Sequence, residues 1–284
     1  MRSDLHLRLG VAGIGVPLCA AVVYAGGWVF ALGLGVVAGI GYWEYASLFR
    51  SRGVRPLSVL GALGAGAFPL VFLYFGLTGA WILTVVLLAL YAAIGMMRVP
   101  VGQGPATAAA ITAFGALYVG GLISFGVPLR EVDLLGRGTT AAGLAPDRIS
   151  ATLLFFFPVV ITWLADTAAY FAGKTLGRTR LAPHVSPNKT VEGAVAAVLA
   201  GPVVAVLYDI WVLPVPLDMR PSQAMVFGLL IAVAAIFGDL VESALKREVD
   251  VKDASGLLPG HGGLLDRLDS LIWTLPTAYF FFIW

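Results

Sequence analysis

Residues 222–269 read SQAMVFGLLIAVAAIFGDLVESALKREVDVKDASGLLPGHGGLLDRLD. The first half, to about Leu245, is an apolar run long enough to cross a bilayer as a helix, which takes about 20 residues. From Ser243 to Asp269 the character reverses: Lys, Arg, Asp, Glu and His crowd together, and a further apolar run follows at once to Trp284. A polar segment pressed between two membrane helices is the expected working part of such a chain.

Outward from this stretch, composition settles the class. Hydrophobic residues make up 59% of the chain and charged residues 12%, with mean hydropathy +0.92; soluble domains carry about a quarter charged residues. The chain is therefore expected to be a polytopic integral membrane protein. Nine candidate spans lie at roughly 10–26, 28–48, 57–76, 79–97, 106–126, 150–173, 190–213, 222–245 and 266–284. Runs so uniformly apolar exclude the alternating strands of a membrane barrel. Backbone groups in lipid also need partners within their own segment, so the fold class is all-α with about nine transmembrane helices. Arg2 and Arg8 read as the flank of the first span rather than of a cleaved leader. The single cysteine, Cys19, excludes an intramolecular disulfide and a cysteine-built zinc site. The small residues Gly33, Gly35, Gly39, Gly61 and Gly64 imply close helix packing. Glu44, beside Trp43 and Tyr45, is expected at the membrane interface, and the loop from about 126 to 149 is expected to be a solvated connection. Residues 1–149 form a packing region of about five spans, and 150–284 carry four spans with the polar loops.

Two polar regions carry chemistry. Asp239, Glu242, Ser243 and Lys246 fall at i, i+3, i+4 and i+7, so one helix face bears two acids, a hydroxyl and a cation. Asp266 and Asp269 follow at i, i+3 with Arg267 between them. Oxygen donors on two helix ends suit a hard cation such as Mg²⁺, which completes its shell with waters and phosphate oxygens. Lys246, Arg247, Lys252, His261 and Arg267 would neutralise those phosphates, and Pro259, Gly260, Gly262 and Gly263 allow a sharp turn close to a ligand. The second region lies in the sixth span, where Asp166, Tyr170 and Lys174 share a face; an acid at that depth costs about 2.5–3.5 kcal/mol on insertion scales and points to function. The loop GRTRLAPHVSPNKTVEG (177–193) follows. Thr190 and Glu192 read as a helix cap, but Lys189 beside a helix N-terminus is misplaced unless an anion sits there.

The pattern filled by Ser243, Lys246, Arg247, Lys252, Asp253, Pro259, Gly260, His261, Gly262, Gly263, Asp266, Arg267 and Asp269 is similar to the signature of the phosphatidate cytidylyltransferases, or CDP-diacylglycerol synthases. Segments ADTAAYFAGK (165–174) and SPNKTVEG (186–193) resemble the same family. The resemblance implies the reaction CTP + phosphatidate → CDP-diacylglycerol + pyrophosphate, carried out on a helical membrane scaffold with Mg²⁺ or another divalent cation. It leaves room for a monovalent cation and a homodimer, and implies no nucleic-acid partner. Asp239 and Asp266 are assigned to metal, with Asp166 and Asp269 as further candidates. Lys189, Lys246, Arg247, Lys252 and Arg267 would contact phosphates; Lys174, Ser186, His261 and Tyr170 would line the site, His261 also serving to shape its turn. Alternatives are a cytidylyltransferase for another lipid phosphate, a CTP-dependent polyprenol kinase, or a membrane ion transporter. One-sided clustering of the motifs and the lack of inverted halves weigh against the last.

With the N-terminus inside, fourteen cations fall on the inner side, and only Arg130, Arg137, Arg148 and Arg220 on the outer side. The motif loops then face the cytoplasm, consistent with a bacterial inner membrane. Cysteine labelling from outside is expected to modify a reporter near Arg137 and to spare reporters near Arg180 or Ser255; the reverse pattern overturns the orientation.

Overall fold

The computed structural model describes residues 2–131, 147–213, 219–251, 254–255 and 262–283. Nearly all of them are helical: α1 (Arg2–Ala25), α2 (Gly27–Arg50), α3 (Ser58–Arg98), α4 (Pro105–Gly115), α5 (Gly126–Arg130), α6 (Arg148–Leu176), α7 (Val191–Trp211), α8 (Pro221–Glu248) and α9 (Leu265–Ile283). A π-helical turn (Ala116–Gly121) runs on from α4. A departure from an all-helical chain is a two-stranded antiparallel hairpin between α6 and α7, β1 (Arg180–Ala182) and β2 (Ser186–Thr190).

Among the described residues, six helical segments are long and apolar enough to cross a membrane, the stretch Pro105–Arg130 counting as one. Three of the nine expected runs drop out of that set for identifiable reasons. Of α1 only Gly15–Ala25 is described without interruption, side chains included, and the first turns of α9 carry Asp266, Arg267 and Asp269. The third case is α3, whose 41 residues count once although Gly76, at φ +60° and ψ −158°, interrupts the helix. An unbroken helix of that length would extend about 60 Å, twice the hydrocarbon thickness, and only glycine adopts this backbone conformation without strain. Of the 126–149 connection, residues 132–146, Arg137 included, lie outside the described residues; at its far end Asp147 caps α6, accepting a bond from Ser150 N at 2.7 Å.

The chain divides into two compact units, Met1–Val127 with Glu248–Leu268, and Pro128–Arg247 with Asp269–Trp284. In the first, Gly35 of α2 and Gly66 of α3 meet backbone to backbone, and a Cβ on either would press on the other's carbonyl oxygen. Tyr42 lies against Gly61, and Tyr91 Oη donates to Leu60 O at 3.1 Å. The Tyr45 ring packs against those of Tyr42, Phe49 and Phe114, and Phe114 stacks on Tyr118. The second unit is built likewise. Ala165 of α6, Ala197 of α7 and Ala232 of α8 form a buried cluster, and Phe227 touches Phe157, Phe281 and Phe282. Tyr208 stacks on Phe157 and donates to Leu153 O at 2.9 Å.

Membrane helices pack through small residues because lipid supplies no hydrophobic drive between them. At Gly201 and Gly228 the carbonyl oxygen of each occupies the place a Cβ would take on the other. Gly228→Val is therefore expected to destabilise the second unit by about 1–3 kcal/mol through overpacking, read as a lowered Tm in detergent. Gly15→Ala, where nothing lies within 4 Å of the added carbon, should leave Tm unchanged.

Candidate active site

Asp166, Tyr170 and Lys174 project from one face of α6 into a cavity of about 600 Å³ in the second unit. The Lys174 ammonium stands 5.7 Å from the Tyr170 ring centroid, within the range of a cation–π contact. Asn188 and Lys189 of β2 and Asp239 of α8 line the same cavity.

The hairpin delivers Lys189. Its base is closed by Val191 N donating to Thr179 O at 2.9 Å, and by Thr179 N donating to the Glu192 carboxylate at 3.1 and 3.2 Å. Thr190 Oγ1 accepts from Gly193 N at 3.1 Å and so caps α7. Gly173 lets α6 close in; a Cβ there would stand 3.0 Å from Thr190 Oγ1. Arg247 Nε, from the C-terminal turn of α8, donates to Val185 O at 3.3 Å and holds the hairpin loop. Ser186 begins β2 opposite Ala182. In this frame Lys189 Nζ lies 2.7 Å from Asp239 Oδ2, with the two side chains 23% and 39% exposed. The two polar regions of the sequence thus meet in one ion pair, still open to the cavity.

Beside that pair is an acidic trio. One carboxylate oxygen from each of Asp239, Glu242 and Asp269 lies within 4.8 Å of the others. Ser243 Oγ donates to Asp239 Oδ1 at 3.3 Å; Lys246 Nζ is 2.9 Å from Glu242 Oε2. Asp269 accepts from Ser270 N at 2.6 Å, and Gly238 leaves room for the α9 backbone at that point. Three like charges so close repel one another, and the two lysines offset this only partly. Hard oxygen donors from three side chains fit the ligand set of a divalent cation such as Mg²⁺. The sequence had assigned Asp239 and Asp269 among its metal candidates but not Glu242, although its i, i+3 spacing from Asp239 was the available signal. Asn188 was passed over too.

In the first unit, Asp266 opens α9. Its carboxylate accepts from Gly263 N at 2.8 Å and from Ala254 N at 3.1 and 3.2 Å, and Arg267 is exposed. Glu44, expected at the interface beside its aromatic neighbours, is 4% exposed and accepts from Leu265 N at 2.7 Å, Leu264 N at 3.1 Å and Ser255 Oγ. Its partners lie more than 200 positions away, beyond any local pattern. Lys252 and His261 lie outside the described residues.

The sequence profile described as "Cytidylyltransferase family" matches residues 6–284. The chain belongs to the cytidylyltransferase family. It is 35% identical to a phosphatidate cytidylyltransferase of Synechocystis sp., over 97% of this chain and 96% of that one. It is 36% identical to phosphatidate cytidylyltransferase 4, chloroplastic, of Arabidopsis thaliana, over 95% of this chain and 71% of that one, and 39% identical to a Bacillus subtilis phosphatidate cytidylyltransferase over 58% and 55%. In a cytidylyltransferase the charge to be managed is that of a nucleotide triphosphate, and Lys189 is a largely buried cation at the cavity wall beside the acidic trio. Charge-assisted bonds are worth roughly 1.5–3 kcal/mol. Lys189→Ala is therefore expected to lower kcat/KM for nucleotidyl transfer by about 10- to 100-fold in steady-state assays; unaltered kinetics would remove Lys189 from the site.

Proposed function

We propose that the protein is a phosphatidate cytidylyltransferase, which converts CTP and phosphatidate into CDP-diacylglycerol and pyrophosphate. The observation that carries this reading is the Lys189–Asp239 pair, in which the S-P-N-K-T segment and the helix turn just ahead of the long signature come together at the edge of one cavity. The names of relatives along nearly the whole chain support the same substrate pair.

A phosphate oxygen of phosphatidate attacks the α-phosphorus of CTP, the bond to the β-phosphate bridging oxygen breaks, and pyrophosphate leaves. The nucleophile is an anion at neutral pH, so no strong base is needed; the barrier lies in bringing anions together. Asp239, Glu242 and Asp269 would hold a divalent cation, which supplies charge neutralisation and polarisation of phosphoryl oxygens when bound. Lys189 and Lys246, each already beside an acid of that trio, are placed to turn from carboxylate to phosphate when the nucleotide arrives. Asp166, Tyr170 and Lys174 line the approach, with Ser186 and Arg247 shaping the hairpin. On the signature alone, Asp266 is assigned to metal, Arg267 and Lys252 to phosphate, and His261 to the lining of the site. Residues 150–284 carry most of the chemistry.

In the bilayer we read nine spans: the six segments with α3 counted twice at Gly76, together with α1 and α9. The N-terminus and the site face the cytoplasm of a bacterial inner membrane, where CTP is available.

The test is incubation of the purified, detergent-solubilised protein with phosphatidate and CTP labelled at either the α or the γ position. α label is expected in lipid and γ label in pyrophosphate, in a reaction abolished by chelation and restored by Mg²⁺. γ label in lipid would establish a kinase instead, and neither label in lipid would overturn the assignment.

A further inference from the structure

Glu44 sits in α2, far in sequence from every motif the reaction uses, yet it is the polar side chain around which the end of the signature is folded. It is 4% exposed. Its Oε2 accepts from Leu265 N at 2.7 Å and its Oε1 from Leu264 N at 3.1 Å, and Oε1 also accepts the Ser255 hydroxyl. Gly263 packs against it so closely that a Cβ there would stand 2.9 Å from Oε2. The first N–H groups of a helix have no partner within it, and an anion is favoured at that end. A carboxylate delivered from another helix meets both needs. The same turn holds Asp266, whose own carboxylate is tied to Gly263 N and Ala254 N. Two carboxylates therefore share the amides of one short segment: Glu44 takes 264 and 265, and Asp266 takes 254 and 263.

We infer that Glu44 is a positioning residue, which fixes the start of α9 and thereby the direction in which Asp266 and Arg267 point. A simple packing role would be met by an apolar side chain. The bonds to two successive amides and a hydroxyl instead set the angle and register of this turn. Misplacement of reacting groups by about 1 Å costs on the order of 100-fold in rate, and the loss falls on kcat when the affected contacts strengthen in the transition state. The kinetic part rests on the assignment of Asp266 and Arg267 proposed above; the structural part does not.

The experiment uses the full chain in detergent, with Glu44→Gln, Glu44→Ala and Ser255→Ala. Hydrogen exchange at the amides of Leu264 and Leu265 is expected to speed up about tenfold or more in Glu44→Ala, while amides in the middle of α2 keep wild-type rates. kcat for cytidylyl transfer should fall about 10- to 100-fold with KM for CTP within about threefold. Glu44→Gln, which keeps an acceptor oxygen, should recover part of both, and Ser255→Ala should show a weaker form of the same change. Unaltered exchange at 264 and 265, or unaltered kcat, in both Glu44 variants overturns the inference. So does a uniform loss of protection through α2 and α9 in Glu44→Gln, which would make the residue one of general folding. A wild-type protein that transfers no cytidylyl group defeats the proposed function instead, and the exchange measurements still decide whether Glu44 holds the turn.

Discussion

A charge surrounded by hydrocarbon has no water to turn to, and the second unit is arranged around that constraint. Its acids and cations meet as Lys189 with Asp239 and Lys246 with Glu242. The first is partly open to the cavity, and the second is buried. Glu242 is 1% exposed, so its lysine stands where removal of the partner would leave a buried charge, a loss of about 3–5 kcal/mol. The pairs also offset part of the repulsion among three carboxylates whose oxygens lie within 4.8 Å of one another. The same groups are the ones a polyphosphate and a divalent ion would address. The trio is held by ion pairs of its own.

That arrangement needs backbones to come very near each other. Gly201 against Gly228, Gly173 against Thr190 and Gly238 against α9 are contacts in which a single methyl group would push two elements apart. The hairpin adds a second device. Lys189 is carried on a strand whose base is closed by the Glu192 carboxylate and whose loop is held by Arg247, so a side chain outside the helices reaches Asp239 with a defined direction. Arg247, which the sequence offers as a phosphate contact, and Glu192, which it offers as part of a helix cap, both take part in building the support.

Much of the fold was legible because hydropathy and helix length are local properties. The expected runs coincide with α2, both halves of α3, α6, α7 and α8 to within a few residues. The break at Gly76 fell where two expected runs adjoin. Thr190 as a helix cap was also readable, since capping involves residues three apart. The hairpin was not: its strands are three and five residues long, without alternation of polar and apolar side chains, and only their pairing distinguishes them from a loop.

For this protein the sequence by itself determined the membrane class, the helical segments, the family, and the residue types gathered in two polar regions. Each depends on composition, spacing or motif within a short window. Only the tertiary structure decided that Lys189 meets Asp239, that Glu242 completes a trio with Asp239 and Asp269, and that Glu44 is a buried acceptor for the first amides of α9. The physical reason is the same in all three cases. A carboxylate's role is set by the polar groups around its oxygens, and here Asp239 meets Lys189 from the hairpin, Asp269 joins Glu242 from another helix, and the donors to Glu44 lie more than 200 positions away, all brought near by helix packing that no local pattern encodes.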